Sequence, residues 1–61
     1  MNDARRSNIQ SALDILREVE VDETDALNAI PDSLQGSEKA ESMAEGVEIL
    51  GEACDQLEGL L

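Results

Sequence analysis

The chain has 61 residues, of which fifteen are Asp or Glu and four are Lys or Arg, so its formal net charge is −11 at neutral pH. It contains no His, Phe, Tyr or Trp and only one Cys. These counts exclude a disulfide within one chain, zinc binding or catalysis that depends on histidine, and nucleic-acid binding by a basic surface or by aromatic stacking. The length allows a single small domain over residues 1–61.

The sequence lacks the apolar runs that mark targeting or membrane segments. Two arginines stand near the start, but no apolar stretch of signal-peptide length follows them. No stretch approaches the ~20 apolar residues that span a bilayer, and acidic faces would repel anionic lipid. The lone Cys54 is typical of a reducing compartment. We therefore expect a cytoplasmic protein without a membrane partner.

The first predicted element is a helix over residues 3–28. Apolar residues recur at steps of three or four in both of its halves and continue toward Leu34. At the centre this spacing places Glu20 and Glu23 in the apolar stripe. Ser7 is a plausible N-cap, although Asn2 or Asp3 would start the helix earlier.

A turn is predicted over residues 29–36. Pro31 disfavours a helical conformation at Ile30, and residues 31–35 could form a short helical turn. Gly36 suits a left-handed C-cap. Ser37 is a good N-cap for the helix that follows.

The second predicted helix covers residues 37–59 and has the more regular pattern. Its apolar seam recurs at steps of 3, 4, 3, 4, 3 and 4 and comprises Ala40, Met43, Val47, Leu50, Cys54, Leu57 and Leu61. Acidic residues lie outside this seam. Gly51 adjoins it and could let another helix approach closely. Cys54 is expected to be a small buried apolar residue.

Two helices joined by a short connection predict an all-α antiparallel hairpin. Apolar residues also lie off the seam, at Ile15, Val21, Ile49 and Leu60, and could form a second interface. The simplest assembly is a dimeric four-helix bundle, and a trimer or larger ring of hairpins is the alternative. The expected oligomer core consists of Ile9, Leu13, Leu16, Leu27, Met43, Val47, Leu50, Cys54 and Leu57.

Candidate binding residues are the scarce cations and the polar turn. Arg5 and Arg6 could bind a phosphate or a carboxylate through the planar guanidinium group, although solubility or ion pairing within the acidic chain would also explain them. The turn residues could form a recognition surface or simply cap the helices. The complete candidate ligand set is Arg5, Arg6, Asn28, Ser33, Gln35, Ser37, Glu38 and Lys39.

The acidic residues do not form a recognisable metal or cofactor site. The cluster at residues 22–25 lacks the spacing and the central glycine of a calcium loop. A carboxylate cage that joins Glu20 and Glu23 to the second helix would lack the histidines of di-iron bundles. We expect no metal, no cofactor and no catalytic residue.

The turn and its flanks resemble a group of short acidic proteins encoded by phages and prophages. The matching residues are Glu23, Ala26, Asn28, Pro31, Ser33, Leu34, Gln35, Ser37, Glu38, Lys39, Glu41 and Met43. The chain departs from the group at Leu27, near which an aromatic residue is expected, and at Lys39-Ala40, where Arg-Gly is expected. The group has no settled activity. The resemblance implies a phage accessory protein acting in the host cytoplasm, and such proteins often work against host defences.

Together these observations predict a non-catalytic protein that acts by binding. The first hypothesis is a counter-defence protein that sequesters a nucleotide-derived signalling molecule between subunits. The second is an acidic inhibitor of a host defence protein, or a nucleic-acid mimic, that uses its negatively charged helix faces. The third is a structural or assembly helper without a ligand. Direct nucleic-acid binding is not expected under any of them.

Overall fold

The computed structural model describes all 61 residues and is entirely helical. Helix α1 spans Asp3–Asn28, a single 3₁₀ turn covers Asp32–Leu34, and helix α2 spans Glu38–Glu58. The two helices pack against each other as a hairpin about 49 Å long and 15 × 11 Å across. The predicted all-α hairpin is therefore confirmed. Helix α1 has the expected bounds of 3–28, whereas α2 starts one residue later and ends one residue earlier than the expected range of 37–59.

Both helices begin at a side-chain cap. The Asn2 Oδ1 atom accepts a hydrogen bond of 2.9 Å from the Arg5 backbone N–H, so Asn2 rather than Ser7 caps α1. The Ser37 hydroxyl oxygen accepts from the Ala40 backbone N–H at 3.2 Å, which confirms Ser37 as the cap of α2. Each cap satisfies a backbone donor that has no partner within its helix.

The connection between the helices is closed by a side-chain amide. Gln35 Nε2 donates to the carbonyl oxygens of Ile30 at 2.7 Å and Leu27 at 3.3 Å. No glycine has a positive φ, so the predicted left-handed cap at Gly36 is wrong. The amide of Gln35 and the predicted short helical turn after Pro31 supply the contacts that a left-handed glycine would otherwise provide.

The core is the seam between the helices, which we define by the residues that are buried or half-buried there. Leu13, Ala40 and Cys54 are buried, and Cys54 has no exposed surface, as expected for a small apolar residue. The half-buried seam residues are Ile9, Leu16, Glu20, Thr24, Leu27, Met43, Val47, Leu50 and Leu57.

Three predicted seam positions differ in the structure. Thr24 replaces Glu23, which is exposed, because a hydroxyl that bonds the Glu20 carbonyl at 2.8 Å is easier to bury than a carboxylate. Leu34 lies in the 3₁₀ turn and is exposed. Leu61 lies beyond the end of α2 and is 48% exposed, because the helical repeat no longer directs it toward α1.

Gly51 lies beside Glu20 at the centre of the hairpin, but the packing of the helices does not require a glycine there. A Cβ atom at this position would lie 3.6 Å from the Glu20 Oε1 atom, which is ordinary van der Waals contact. The half-buried Glu20 carboxylate lies over α2 at this residue, and no atom of the α1 backbone comes within 4 Å of the added Cβ, so the close helix approach expected at Gly51 is not observed.

Neither α1 nor α2 combines the length and the apolar character that crossing a bilayer requires.

Candidate functional site

The seam divides the remaining helix surface into two faces of different chemistry. Because each residue turns about 100° from the one before it, residues that precede a seam residue lie on one side of the hairpin and residues that follow a seam residue lie on the other. The observed ion pairs fix this arrangement across both helices. Arg17 follows Leu16 on α1 and contacts Asp55 and Glu58, which follow the seam residues Cys54 and Leu57 on α2.

We name the side that contains Arg17 the acidic face. Its members follow seam residues, and six of the charged ones are carboxylates. The charged members are Asp14, Arg17, Asp25, Glu41, Glu48, Asp55 and Glu58. Val21 is the one large apolar residue on this face and is 58% exposed. Most of the negative charge near the seam is therefore directed to one side.

We name the opposite side the low-charge face. Its members precede seam residues, and only two are charged, Glu23 and Lys39. The members are Asn8, Ala12, Ile15, Val19, Glu23 and Ala26 of α1, with Lys39, Ser42, Gly46, Ile49, Ala53 and Gln56 of α2. Ile15 is 61% exposed and Ile49 is 59% exposed. A patch of large and small apolar residues from both helices thus faces solvent.

Arg17 links the two helices on the acidic face. Its guanidinium lies 2.7 Å from a carboxylate oxygen of Glu58, 3.1 Å from one of Glu20 and 3.2 Å from one of Asp55. Hydrogen bonds to Glu58 and then Asp55 raise the pKa of Arg17 above its ordinary value. The arginine therefore stays charged and neutralises part of a crowded set of carboxylates.

The other three cations lie apart from any carboxylate. Arg5, Arg6 and Lys39 form no ion pair within 4.0 Å in a chain with fifteen acidic residues. All three side chains are exposed, so they can bind a ligand or a second protein. Arg5 and Arg6 lie at the open end of the hairpin, where the chain starts. Lys39 lies at the turn end, in the first turn of α2.

The structure does not bring these cations together within one hairpin. At a rise of 1.5 Å per residue, Arg5 and Lys39 are separated by about 40 Å along the hairpin axis. That distance exceeds the size of a small nucleotide. A single site that uses both residues therefore requires more than one copy of the chain.

The polar turn residues divide between capping and free side chains. Gln35 and Ser37 use their side chains to close α1 and to start α2. Asn28, Ser33 and Glu38 make no side-chain hydrogen bond and are exposed. Cap chemistry thus explains two of the candidate positions, and the remaining positions are open to solvent.

The residues expected in an oligomer core lie in the seam of the hairpin itself. Leu13 and Cys54 are buried within one chain. The remaining seven contribute half-buried side chains to the same seam, namely Ile9, Leu16, Leu27, Met43, Val47, Leu50 and Leu57.

No three Asp, Glu or Cys side chains are arranged so that they could hold a metal ion. One shallow groove lies along the exposed side of α1, lined by Arg17, Glu18, Val21 and Asp22. Arg17 is the residue that sequence reasoning missed as an organising contact. Its position directly after Leu16, as the only cation in the middle of the predicted first helix, is the signal that could have identified it.

The chain matches no protein-family model, no curated protein and no solved structure.

Proposed function

We propose that the protein is a non-catalytic binding protein that acts as a dimer of hairpins, a four-helix bundle joined through the low-charge face. The observation that carries this proposal is the exposed apolar patch on that face. Ile15 and Ile49 are more than half exposed there, on the side of the hairpin with the fewest charges. Pairing this face with a second copy buries the patch and leaves both acidic faces in solvent.

The surface area of the hairpin supports a second copy. The chain exposes 4502 Å², whereas a folded monomer of 6.6 kDa typically exposes about 3900 Å². The excess of roughly 600 Å² is close to the ~800 Å² that each partner buries in a stable interface of standard size. Only three of 61 residues are buried, so the hairpin alone has a small core.

The dimer is tested by one apolar position on each face. Ile15→Lys places a charge in the proposed interface, whereas Val21→Lys places the same charge on the acidic face at nearly equal exposure. We expect sedimentation or native mass spectrometry to give twice the chain mass for the wild type and Val21→Lys, and a monomer for Ile15→Lys. A monomeric wild type, or an Ile15→Lys variant that remains a dimer, contradicts the proposal.

The leading ligand candidate is a phosphate-bearing, nucleotide-derived molecule held between subunits. The observation that favours it is the lack of ion-pair partners for Arg5, Arg6 and Lys39, because free guanidinium and ammonium groups bind phosphate. Together with the resemblance of the turn sequence to that of phage-encoded proteins, this supports a counter-defence role in the host cytoplasm, where Cys54 would stay reduced.

Native mass spectra recorded after incubation with a nucleotide-rich extract of phage-infected cells test this candidate. We expect the dimer to gain a discrete small mass. Replacing Arg5 and Arg6 together by Ala is expected to abolish this gain while the dimer persists. Retention of the ligand by that double variant would show that the two arginines are not part of the ligand site.

The second candidate is an acidic inhibitor that uses the acidic face as a nucleic-acid mimic. The observation that favours it is the segregation of carboxylates onto one face of both helices. We expect a host protein captured by the wild type to be released by duplex DNA and by high salt, and exchange of Glu41 and Glu48 for Gln to weaken its capture. Capture that duplex DNA does not displace contradicts mimicry. If neither ligand nor partner is found, a structural role remains.

A further inference from the structure

Each helix of the low-charge face carries one projecting isoleucine and one small residue farther along. On α1 these are Ile15, which is 61% exposed, and Ala26. On α2 they are Ile49, which is 59% exposed, and Ala53. Gly46 lies on the same face of α2, and a Cβ atom added to it would meet nothing within 4 Å. Each helix therefore has both a knob and a flat area against which the knob of a second copy can pack.

The knobs and flat areas match when two copies of the same helix run in opposite directions. A two-fold axis brings together residues that lie at equal distances on either side of it. An axis that sets Ile15 against Ala26 of the partner subunit crosses α1 between residues 20 and 21. An axis that sets Ile49 against Ala53 of the partner subunit crosses α2 at residue 51.

These two axes coincide in the observed hairpin. The Glu20 Oε1 atom would lie only 3.6 Å from a Cβ atom on Gly51, so residue 20 of α1 and residue 51 of α2 are at the same level. One axis at that level therefore pairs α1 with α1 and α2 with α2 of the partner. We call this arrangement, with its turns at opposite ends, the opposite-end dimer. It covers the isoleucines of both helices and forms a four-helix bundle.

The other symmetric arrangement packs α1 on α2 of the partner with both turns at the same end, and we call it the same-end dimer. Residues at equal levels then meet, which sets Ile15 beside Gln56 of the partner subunit. It also sets Glu23 beside Ile49 of the partner subunit, where the carboxylate would lose hydration without a cation. In the opposite-end dimer Glu23 lies near Val19 of the partner subunit, where its methylene groups pack and its exposed carboxylate reaches solvent.

Resting on the proposed dimer, we infer that two hairpins associate as the opposite-end dimer and that each anion site is assembled from both chains. Helix α2 ends at Glu58, which contacts Arg17, so α1 extends about 15 Å past the end of α2. This extension carries Arg5 and Arg6. In the opposite-end dimer it lies beside the turn of the partner.

The opposite-end dimer gathers the three cations that have no ion-pair partner in the hairpin. Along the bundle axis, Arg5 and Lys39 of the partner subunit are separated by about 5 Å, compared with about 40 Å within one chain. Arg6 lies next to Arg5 on the same extension. The packing of the low-charge faces uses none of these three side chains, so all of them remain available to a ligand.

The symmetry gives two equivalent sites in each dimer, each with two arginines from one chain and a lysine from the other. A diphosphate group, free or at the end of a nucleotide, is the ligand class that fits. Its two phosphates can bind cations that approach from two chains, and guanidinium groups bind phosphate oxygens in a bidentate manner. A single hairpin holds only half of each site.

Cysteine cross-linking in a Cys54→Ala background tests the opposite-end dimer. A disulfide requires Cα atoms within about 7 Å. We expect a mixed cross-link between Ile49→Cys chains and Ala53→Cys chains. We expect none between Ile49→Cys chains and Glu23→Cys chains, which the same-end dimer would bring together. Any other pattern of mixed cross-links, in a protein of dimeric mass, overturns the opposite-end dimer.

Pyrophosphate binding, measured by calorimetry at low salt, tests the shared site. The wild type is expected to bind pyrophosphate at two sites per dimer. Chains with Arg5→Ala and Arg6→Ala, and separately chains with Lys39→Ala, are expected to bind about tenfold more weakly. An equal mixture of the two variants forms mixed dimers in which one site has all three cations, so about a quarter of the wild-type sites should return. A mixture that binds no better than its components overturns the shared site.

The measurements separate the ways in which the inference can fail. A monomeric wild type rejects the proposed dimer itself. A dimer with the other cross-links rejects the opposite-end arrangement and leaves the proposed dimer intact. The expected cross-links without pyrophosphate binding would show that acids of the partner's turn already neutralise the cations, which rejects the shared anion site alone.

Discussion

At the scale of single residues, Arg17 has more polar contacts between the helices than any other side chain. It joins carboxylates of α1 and α2 on a face that otherwise carries only acids among its charged residues. Without it, Asp55 and Glu58 would lie beside Glu20 with no cation to offset their repulsion. Its contribution is thus neutralisation of the acidic face rather than burial of apolar surface.

Replacement of Arg17 by Gln is expected to lower the melting temperature more than Arg6→Gln, which makes the same charge change without losing an ion pair. Because the pKa of Arg17 is raised in the folded protein, its contribution is complete below the pKa of an unfolded arginine and is lost only as the pH rises through the folded value. The difference between wild type and Arg17→Gln should therefore stay constant between about pH 7 and 10. Thermal unfolding followed by circular dichroism measures it.

Leu13 is the one buried leucine in the seam. Leu13→Ala is expected to cost about 3 kcal/mol, which is most of the stability that a chain this small can have. Val21→Ala removes a similar apolar group from the exposed acidic face and is expected to change the stability by less than about 0.5 kcal/mol. Urea unfolding measures both, and equal effects would contradict the seam.

At the scale of elements, the N-cap of α2 is one hydrogen bond between nearby residues that stabilises the start of the helix. Ser37→Ala is expected to lower the free energy of unfolding by about 1 kcal/mol, because the Ala40 N–H loses its acceptor. Ser42→Ala is the matched control, since Ser42 is exposed within the same helix and makes no side-chain hydrogen bond. A Ser37→Ala variant as stable as Ser42→Ala would show that the cap bond is not formed in solution.

The elements that could be predicted from the sequence are those set by local chemistry. The heptad of α2, the Ser37 cap and the turn at Pro31 each depend on residues a few positions apart. Whether Glu23 or Thr24 lies in the seam is not set by nearby residues, because either one fits the helical spacing between Glu20 and Leu27. It is decided by which side chain loses less hydration against α2. The closing of α1 by Gln35 likewise depends on how the chain folds back.

The candidate site also has one part that could be predicted from the sequence and one part that depends on the fold. Its residue types could be predicted, since free arginines in an acidic chain are candidates for binding anions. Their distribution between the two ends of the hairpin depends on the length of α1 and on the fold of the turn. The side to which each residue faces became clear only from the contacts of Arg17 with α2.

At the scale of the whole molecule, surplus negative charge opposes compaction. Each hairpin carries eleven negative charges in excess on a body 15 × 11 Å across, and the Debye length at 0.1 M salt is about 10 Å. Raising NaCl from about 20 to 200 mM is therefore expected to raise the melting temperature, although it weakens the single Arg17 cluster.

A variant with Glu45, Glu48 and Glu52 changed to Gln provides the control for the salt prediction. It has three fewer negative charges and should show a smaller rise in melting temperature over the same salt range. A melting temperature of the wild type that falls with NaCl would mean that attractive pairs outweigh the net repulsion.

The complete burial of Cys54 also gives the protein a chemical reporter of its own opening. The thiol lies in the last third of α2 and is completely buried, so a reagent in solution cannot reach it while the helices are closed. When modification is slower than reclosing, its rate is proportional to the open population. The chain has no tryptophan or tyrosine, so it has no intrinsic fluorescence that could report unfolding. The rate of Cys54 modification instead measures how often the two helices separate. A ligand that holds the helices together will slow this modification.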